Sequence, residues 1–86
     1  MANYKLELTK TAQKNLKKLD KQTLQRLITK IESLKENPFP AGVKKLITND
    51  GYRIRVGDYR IVYDVFEDLI LVKILKVGHR KDIYKK

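Results

Sequence analysis

Residues 51–63 read GYRIRVGDYRIVY, and the fold turns on whether this stretch closes as a hairpin. Apolar and charged side chains alternate on both sides of Gly57-Asp58, the pattern of two half-buried strands joined by a two-residue turn. Such a turn sets Val56 opposite Tyr59, Arg55 opposite Arg60, Ile54 opposite Ile61, Arg53 opposite Val62 and Tyr52 opposite Tyr63. Successive strand residues point to opposite faces, so Tyr52, Ile54, Val56, Tyr59, Ile61 and Tyr63 form one apolar layer. Arg53, Arg55 and Arg60 share the other face. Like charges directly opposite each other destabilise a sheet by up to about 1 kcal/mol, and Asp64 and Glu67 fall outside the cluster in this register. Guanidinium forks bind phosphate bidentately and stay charged at any relevant pH. An anion-binding face is the reading that gives the cluster a purpose.

Working outward, a third strand-like run covers Leu69 to Val77 (LILVKILKV), apolar on both faces up to Lys73 as a central strand requires. Glu67-Asp68 supplies a second turn, so the strands Tyr52–Val56, Tyr59–Phe66 and Leu69–Val77 should run as an antiparallel meander. Upstream, YKLEL at residues 4–8 alternates like a half-buried first strand. TKTAQKNLKKLD at 9–20 reads as a short helix that Thr9 or Thr11 can cap. In the stretch from Asp20 to Pro38, Leu24, Leu27, Ile28, Ile31 and Leu34 recur at helical spacing, with Asp20 as cap and Pro38 as stop. The segment NPFPAGVKKLITND, residues 37–50, reads as a connector. The order is β-α-α-β-β-β: one α+β domain over residues 1–86, a small sheet with a helical hairpin on one face.

Twenty lysines and arginines against ten acidic residues leave a net charge of +10 in 86 residues. Such an excess concentrates polyanions at the surface; RNA, DNA, an anionic ribonucleoprotein or an acidic protein are the partner classes it admits. The absence of cysteine excludes a disulfide framework and thiolate chemistry, and a single histidine excludes multi-histidine zinc patterns. No cofactor and no metal is expected. No apolar run nears the roughly 20 residues of a membrane span, and no signal-peptide pattern appears, so the expectation is a soluble cytoplasmic protein.

After the last strand, KVGHRKDIYKK at 76–86 brings Lys76, His79, Arg80, Lys81 and Tyr84. In the simplest meander this strand neighbours the arginine hairpin. Arg80 and Tyr84 then lie at the rim of the cationic face, offering a phosphate donor and an aromatic plane for a base. Arg53, Arg55, Arg60, Lys76, Arg80 and Lys81 form the candidate RNA-binding set.

From YKLELTKTAQKNLKKL through GYRIRVGDYRIVYDV to KVGHRKDIY, the chain resembles the RelE/ParE toxin superfamily, most closely its RelE-like branch of ribosome-dependent mRNA endonucleases. The YRIRVGDYRIVY hairpin and the GHRKDIY ending are the most specific parts. The resemblance implies the toxin of a type II toxin–antitoxin system, which enters the 30S A site of the ribosome and cuts the mRNA codon there. It implies metal-independent attack of a ribose 2′-hydroxyl on the adjacent phosphate. By that analogy Arg53, Arg55, Arg60, Arg80 and Tyr84 are the catalytic positions. Arg60 and Arg80 stabilise the phosphorane-like transition state, Arg80 assists the leaving group, and Tyr84 orients the nucleotide. The family pattern carries lysines at the positions of Arg53 and Arg55, and arginine is a poor proton acceptor. Three routes for the proton stay open: Tyr84 or His79, a ribosomal group, or positioning and charge alone. The resemblance further implies a cognate acidic RelB-like antitoxin in an oligomeric complex. A ParE-like gyrase inhibitor and a non-catalytic basic RNA-binding module are the alternatives.

Overall fold

The structure, a computed structural model, describes residues 3–45 and 51–79. In chain order its elements are β1 (Lys5–Leu8), α1 (Lys10–Lys17), α2 (Lys21–Leu34), β2 (Lys44–Lys45), β3 (Tyr52–Val56), β4 (Tyr59–Phe66), a 3₁₀ turn (Glu67–Leu69) and β5 (Leu71–His79). The five strands form one sheet in the order β1-β5-β4-β3-β2. Strand β1 runs parallel to β5, and every other neighbouring pair is antiparallel.

The hairpin closes in the expected register, all five pairs from Tyr52↔Tyr63 to Val56↔Tyr59 included. Gly57 has φ +60 while Asp58 stays at negative φ, the sign pattern of a type II′ turn, which suits the twist of two strands. Two details of the strand assignment change. The connector contributes a fifth strand, the pair Lys44–Lys45, which binds to Arg53 and Tyr52; two residues are too few to show an alternation. The last strand starts two residues later than its apolar run, because Leu69 and Ile70 are drawn into the turn, with Ile70 left-handed at φ 50, and it runs two residues past Val77, with Gly78 and His79 still paired to β4.

One face of the sheet is covered. Ile54, Ile61, Tyr63, Val72, Ile74 and Val77 pack with Ala12 and Leu16 of α1 and Leu27, Ile31 and Leu34 of α2 into a single core. The α2 residues Leu27, Ile31 and Leu34 are spaced four and three apart, so they stack on one line. Ile28 sits a further 100° round and lies at the rim, 36% exposed, rather than within the core as its spacing suggested. Thr9 and Asp20 cap the two helices, each accepting a backbone N–H three residues on.

Helix α1 is also bound to β5 by polar contacts that periodicity does not show. Opposite β4, strand β5 carries one extra residue: Val62 pairs with Lys76 but Tyr63 pairs with Ile74, leaving Leu75 as a bulge. A bulge frees backbone groups that must be satisfied elsewhere. The Thr9 hydroxyl donates to the Leu75 carbonyl at 2.7 Å while accepting from Ala12 N, and Thr9 N donates to the Ile74 carbonyl. The Asn15 side-chain oxygen accepts from Val77 N at 3.0 Å. One threonine therefore holds a helix start and a strand irregularity together. Thr9→Ala removes both contacts, and a loss of about 1–3 kcal/mol is expected, read as a lowered urea midpoint.

Tyr63 is fully buried in the core and donates its hydroxyl proton to the Pro38 carbonyl at 2.6 Å. This bond fixes the chain where it leaves α2. Burial, and to a lesser extent neighbouring Tyr52, hold the phenol protonated well above its usual range. A group whose native pKa is raised loses its stabilising contribution as pH climbs past the unfolded-state value of about 10. Tyr63→Phe is expected to cost about 1–3 kcal/mol at neutral pH through the orphaned carbonyl. Its stability should then fall less steeply than the wild type's between pH 10 and 12, measured by urea unfolding.

Candidate nucleic-acid interface

The sheet face turned away from the helices is built by register. Paired residues share a face, so Arg53, Arg55, Arg60 and Val62 of the hairpin lie together with Lys44 of β2 and with Lys76 and Gly78 of β5. The arginine cluster read from the hairpin is therefore present, and strand order adds a lysine at each side. Val62 is 5% exposed yet lies outside the core cluster, forming an apolar floor between the cations.

The three arginines are not equivalent. Arg55 is exposed and its Nε donates to the Gly57 carbonyl at 3.1 Å, which leans it toward the turn. Arg53 and Arg60 are half-buried, with their Nε atoms withdrawn from solvent. A two-residue turn makes Val56–Tyr59 a hydrogen-bonded pair, so Arg55 and Arg60 face each other at the closer spacing, about 4.5 Å between Cα atoms. Two features ease that approach: the lean of Arg55, and the residue across from Arg60 on its other side, which is Gly78 and has no side chain. Farther along the strands the charge changes. Asp64, Lys73 and Glu7 form a row across β4, β5 and β1, with Lys73 3.9 Å from Glu7. Phe66 and Leu71 follow.

His79 goes elsewhere. Counting from Lys73 in unbroken alternation, it belongs beside the arginines, but the Leu75 bulge reverses the phase. His79 instead pairs with Tyr59 on the helix face, their rings edge to face at 5.5 Å, and lines a cleft of about 280 Å³ with Asn15, Lys18 and Leu19. The structure does not bring it together with Arg53, Arg55 and Arg60. Arg80, Lys81 and Tyr84 lie outside the described residues.

Two further cations were not legible as part of this region. Lys44 joins through β2. Arg26 of α2 reaches the hairpin tip, where a Cβ on Gly57 would stand 3.0 Å from its guanidinium. Only tertiary packing places Arg26 there. Among the described residues no three His, Cys, Asp or Glu side chains gather as a metal site, and no helix is long and apolar enough to cross a membrane.

A family model described as the ParE toxin of type II toxin–antitoxin systems matches residues 6–84. The chain is a toxin of the RelE/ParE superfamily. It is 35% identical over 86 residues to a putative toxin RelE1 of Methanocaldococcus jannaschii, covering 95% of this chain and 96% of that one. Its fold is similar to the toxin–antitoxin complex RelBE2 of Mycobacterium tuberculosis, with a TM-score of 0.83 at 29% identity over 93% and 94% of the two chains. The archaeal RelE–RelB complex of Pyrococcus horikoshii is similar at TM-score 0.81 and 33% identity, over 91% and 96%. The α+β fold expected from the resemblance is thus the fold of this toxin, with one short strand added at the edge.

Proposed function

We propose that the toxin is a ribosome-dependent endoribonuclease that cuts mRNA in the A site by attack of a ribose 2′-hydroxyl on the adjacent phosphate. One observation carries this reading: the register gathers Arg53, Arg55, Arg60 and Lys76 on the sheet face without helices. In the step, the 2′-oxygen forms a bond to phosphorus and the bond to the 5′-oxygen breaks. A 2′,3′-cyclic phosphate and a 5′-hydroxyl result, and the 2′-hydroxyl proton is balanced by the one taken up at the leaving oxygen. Negative charge builds on the phosphoryl oxygens between these events. Fixed guanidinium groups aimed at that charge lower the barrier without reorganising. Arg53 and Arg60, partly withdrawn from water, are suited to this because their fields are less screened. A guanidinium is a poor general base. With His79 on the opposite face, the proton is left to Tyr84, to a ribosomal group or to none.

The reading places the toxin in the cytoplasm with translating ribosomes, and gives it a RelB-like acidic antitoxin as partner. Solved relatives carry RelB, and a net charge of +10 suits an acidic chain that folds as it binds. The test is to map 5′ ends on a message in a translation extract, with and without active ribosomes. Cuts within translated codons are expected only when ribosomes translate. An intact message overturns the proposal, and inhibition of DNA supercoiling by the same preparation would turn the assignment to a gyrase inhibitor.

A further inference from the structure

We infer that the RNA backbone crosses the open sheet face perpendicular to the strands, along the row Lys44–Arg53–Val62–Lys76, and that Lys44 on the edge strand is its outermost phosphate contact. This rests on the RNA-cleaving reading of the same face. The printed pairs Lys44↔Arg53, Arg53↔Val62 and Val62↔Lys76 set these four residues at one height across four strands. At about 4.8 Å per strand the row is roughly 14 Å long, enough for more than one phosphate. Lys44 and Lys76 are both exposed, and among the described residues neither is held in an ion pair.

The direction follows from what bounds the row. Along β4 the open-face sequence runs Arg60, Val62, Asp64, Phe66, from cation to carboxylate to aromatic. Asp64 and Glu7 flank Lys73 in the next row, so a phosphate chain running along the strands meets carboxylates within two residues of Val62. Across the strands the charge stays positive from one lysine to the other. The row Arg55–Arg60–Gly78 lies beside it, with the type II′ turn at the end of that hairpin. A backbone held by Lys44 and Lys76 therefore has its middle phosphate beside Arg53 and Arg60, with Val62 beneath. Lys44 is a positioning residue: it holds the chain and does not touch the reacting phosphate.

The test measures cutting in a translation extract at several toxin concentrations, and binding of a fully 2′-O-methylated oligoribonucleotide by fluorescence anisotropy at several salt concentrations. Lys44→Ala should raise the half-saturating concentration by about 3–10-fold, with the loss falling there and not on the saturating rate. It should also lower the salt slope of binding by about 0.7, the share of one phosphate on a single strand. Lys44→Arg should restore both, since a phosphate contact needs the charge. Lys21→Ala, on α2, serves as the control for net charge. If Lys44→Ala matches Lys21→Ala in both assays while the wild type cuts, the path is wrong and the parent reading stands. If the wild type neither cuts nor binds, both fail.

Discussion

On the proposed nuclease reading, Arg60→Ala is expected to yield a folded toxin that no longer cuts. Losing one donor aimed at developing transition-state charge costs about 10²–10³ in rate in other enzymes, and Arg60 is the half-buried member of the closest arginine pair. The same substitution relieves a like-charge contact with Arg55 worth up to about 1 kcal/mol, so the loss of cutting should far exceed any loss of stability. Loss of activity with no loss of stability separates a functional arginine from a structural one. Arg60→Lys retains the charge without the planar fork, and an intermediate rate is expected. The measurements are single-turnover cutting and urea unfolding on the same samples. Unimpaired cutting by a folded Arg60→Ala protein would remove this residue from the mechanism.

Deleting Leu75 is expected to straighten β5 without turning any side chain over. With the residue present, the bulge lets β5 bury Ile74 and Val77, three residues apart, on one face. With it deleted, Ile74, Lys76 and Val77 follow in regular alternation, and their pairs with Tyr63, Val62 and Ile61 can all form. What goes is the Leu75 carbonyl, the acceptor of the Thr9 hydroxyl. The deletion should therefore cost about 1–3 kcal/mol, close to the loss for Thr9→Ala, and the double change should cost little more than either alone. Urea unfolding of the three variants measures this. Leu75→Ala, which keeps the bulge and its carbonyl, should retain the Thr9 contact. Loss of the cooperative melt in the deletion variant would mean that the bulge itself is needed to seat β5 on α1.

The hairpin was legible because each level of its sequence agrees: period-two alternation, a Gly-Asp turn and an apolar layer of matching length. The register followed from the turn, and the arginine face from the register. The helices were legible from spacing and caps, apart from Ile28, whose place at the rim depends on how α2 is rotated against the sheet. What the sequence did not show lies where alternation is broken or too short. The Leu75 bulge leaves no mark in LILVKILKV, whose apolar residues fit several phases, so the face that His79 takes is not legible there. Strand β2 has two lysines and no pattern at all, so nothing in the sequence places Lys44 on this face. Arg26 is an exposed helix residue in sequence terms; its approach to Gly57 comes from packing alone.

Strand β5 has a temporal consequence. It occupies the interior of the sheet, between β1 and β4, yet it is the last of the five strands in chain order. Synthesis runs from the N-terminus, so β1 waits for its only partner while some sixty residues are added. During that wait α1 has no bulge to grip, and the hairpin lacks Lys76 and the gap at Gly78. A partly made chain therefore exposes strand edges and apolar surface but not the assembled cationic row. The ribosome making this protein carries a nascent chain that is vulnerable to proteases before its cationic face exists.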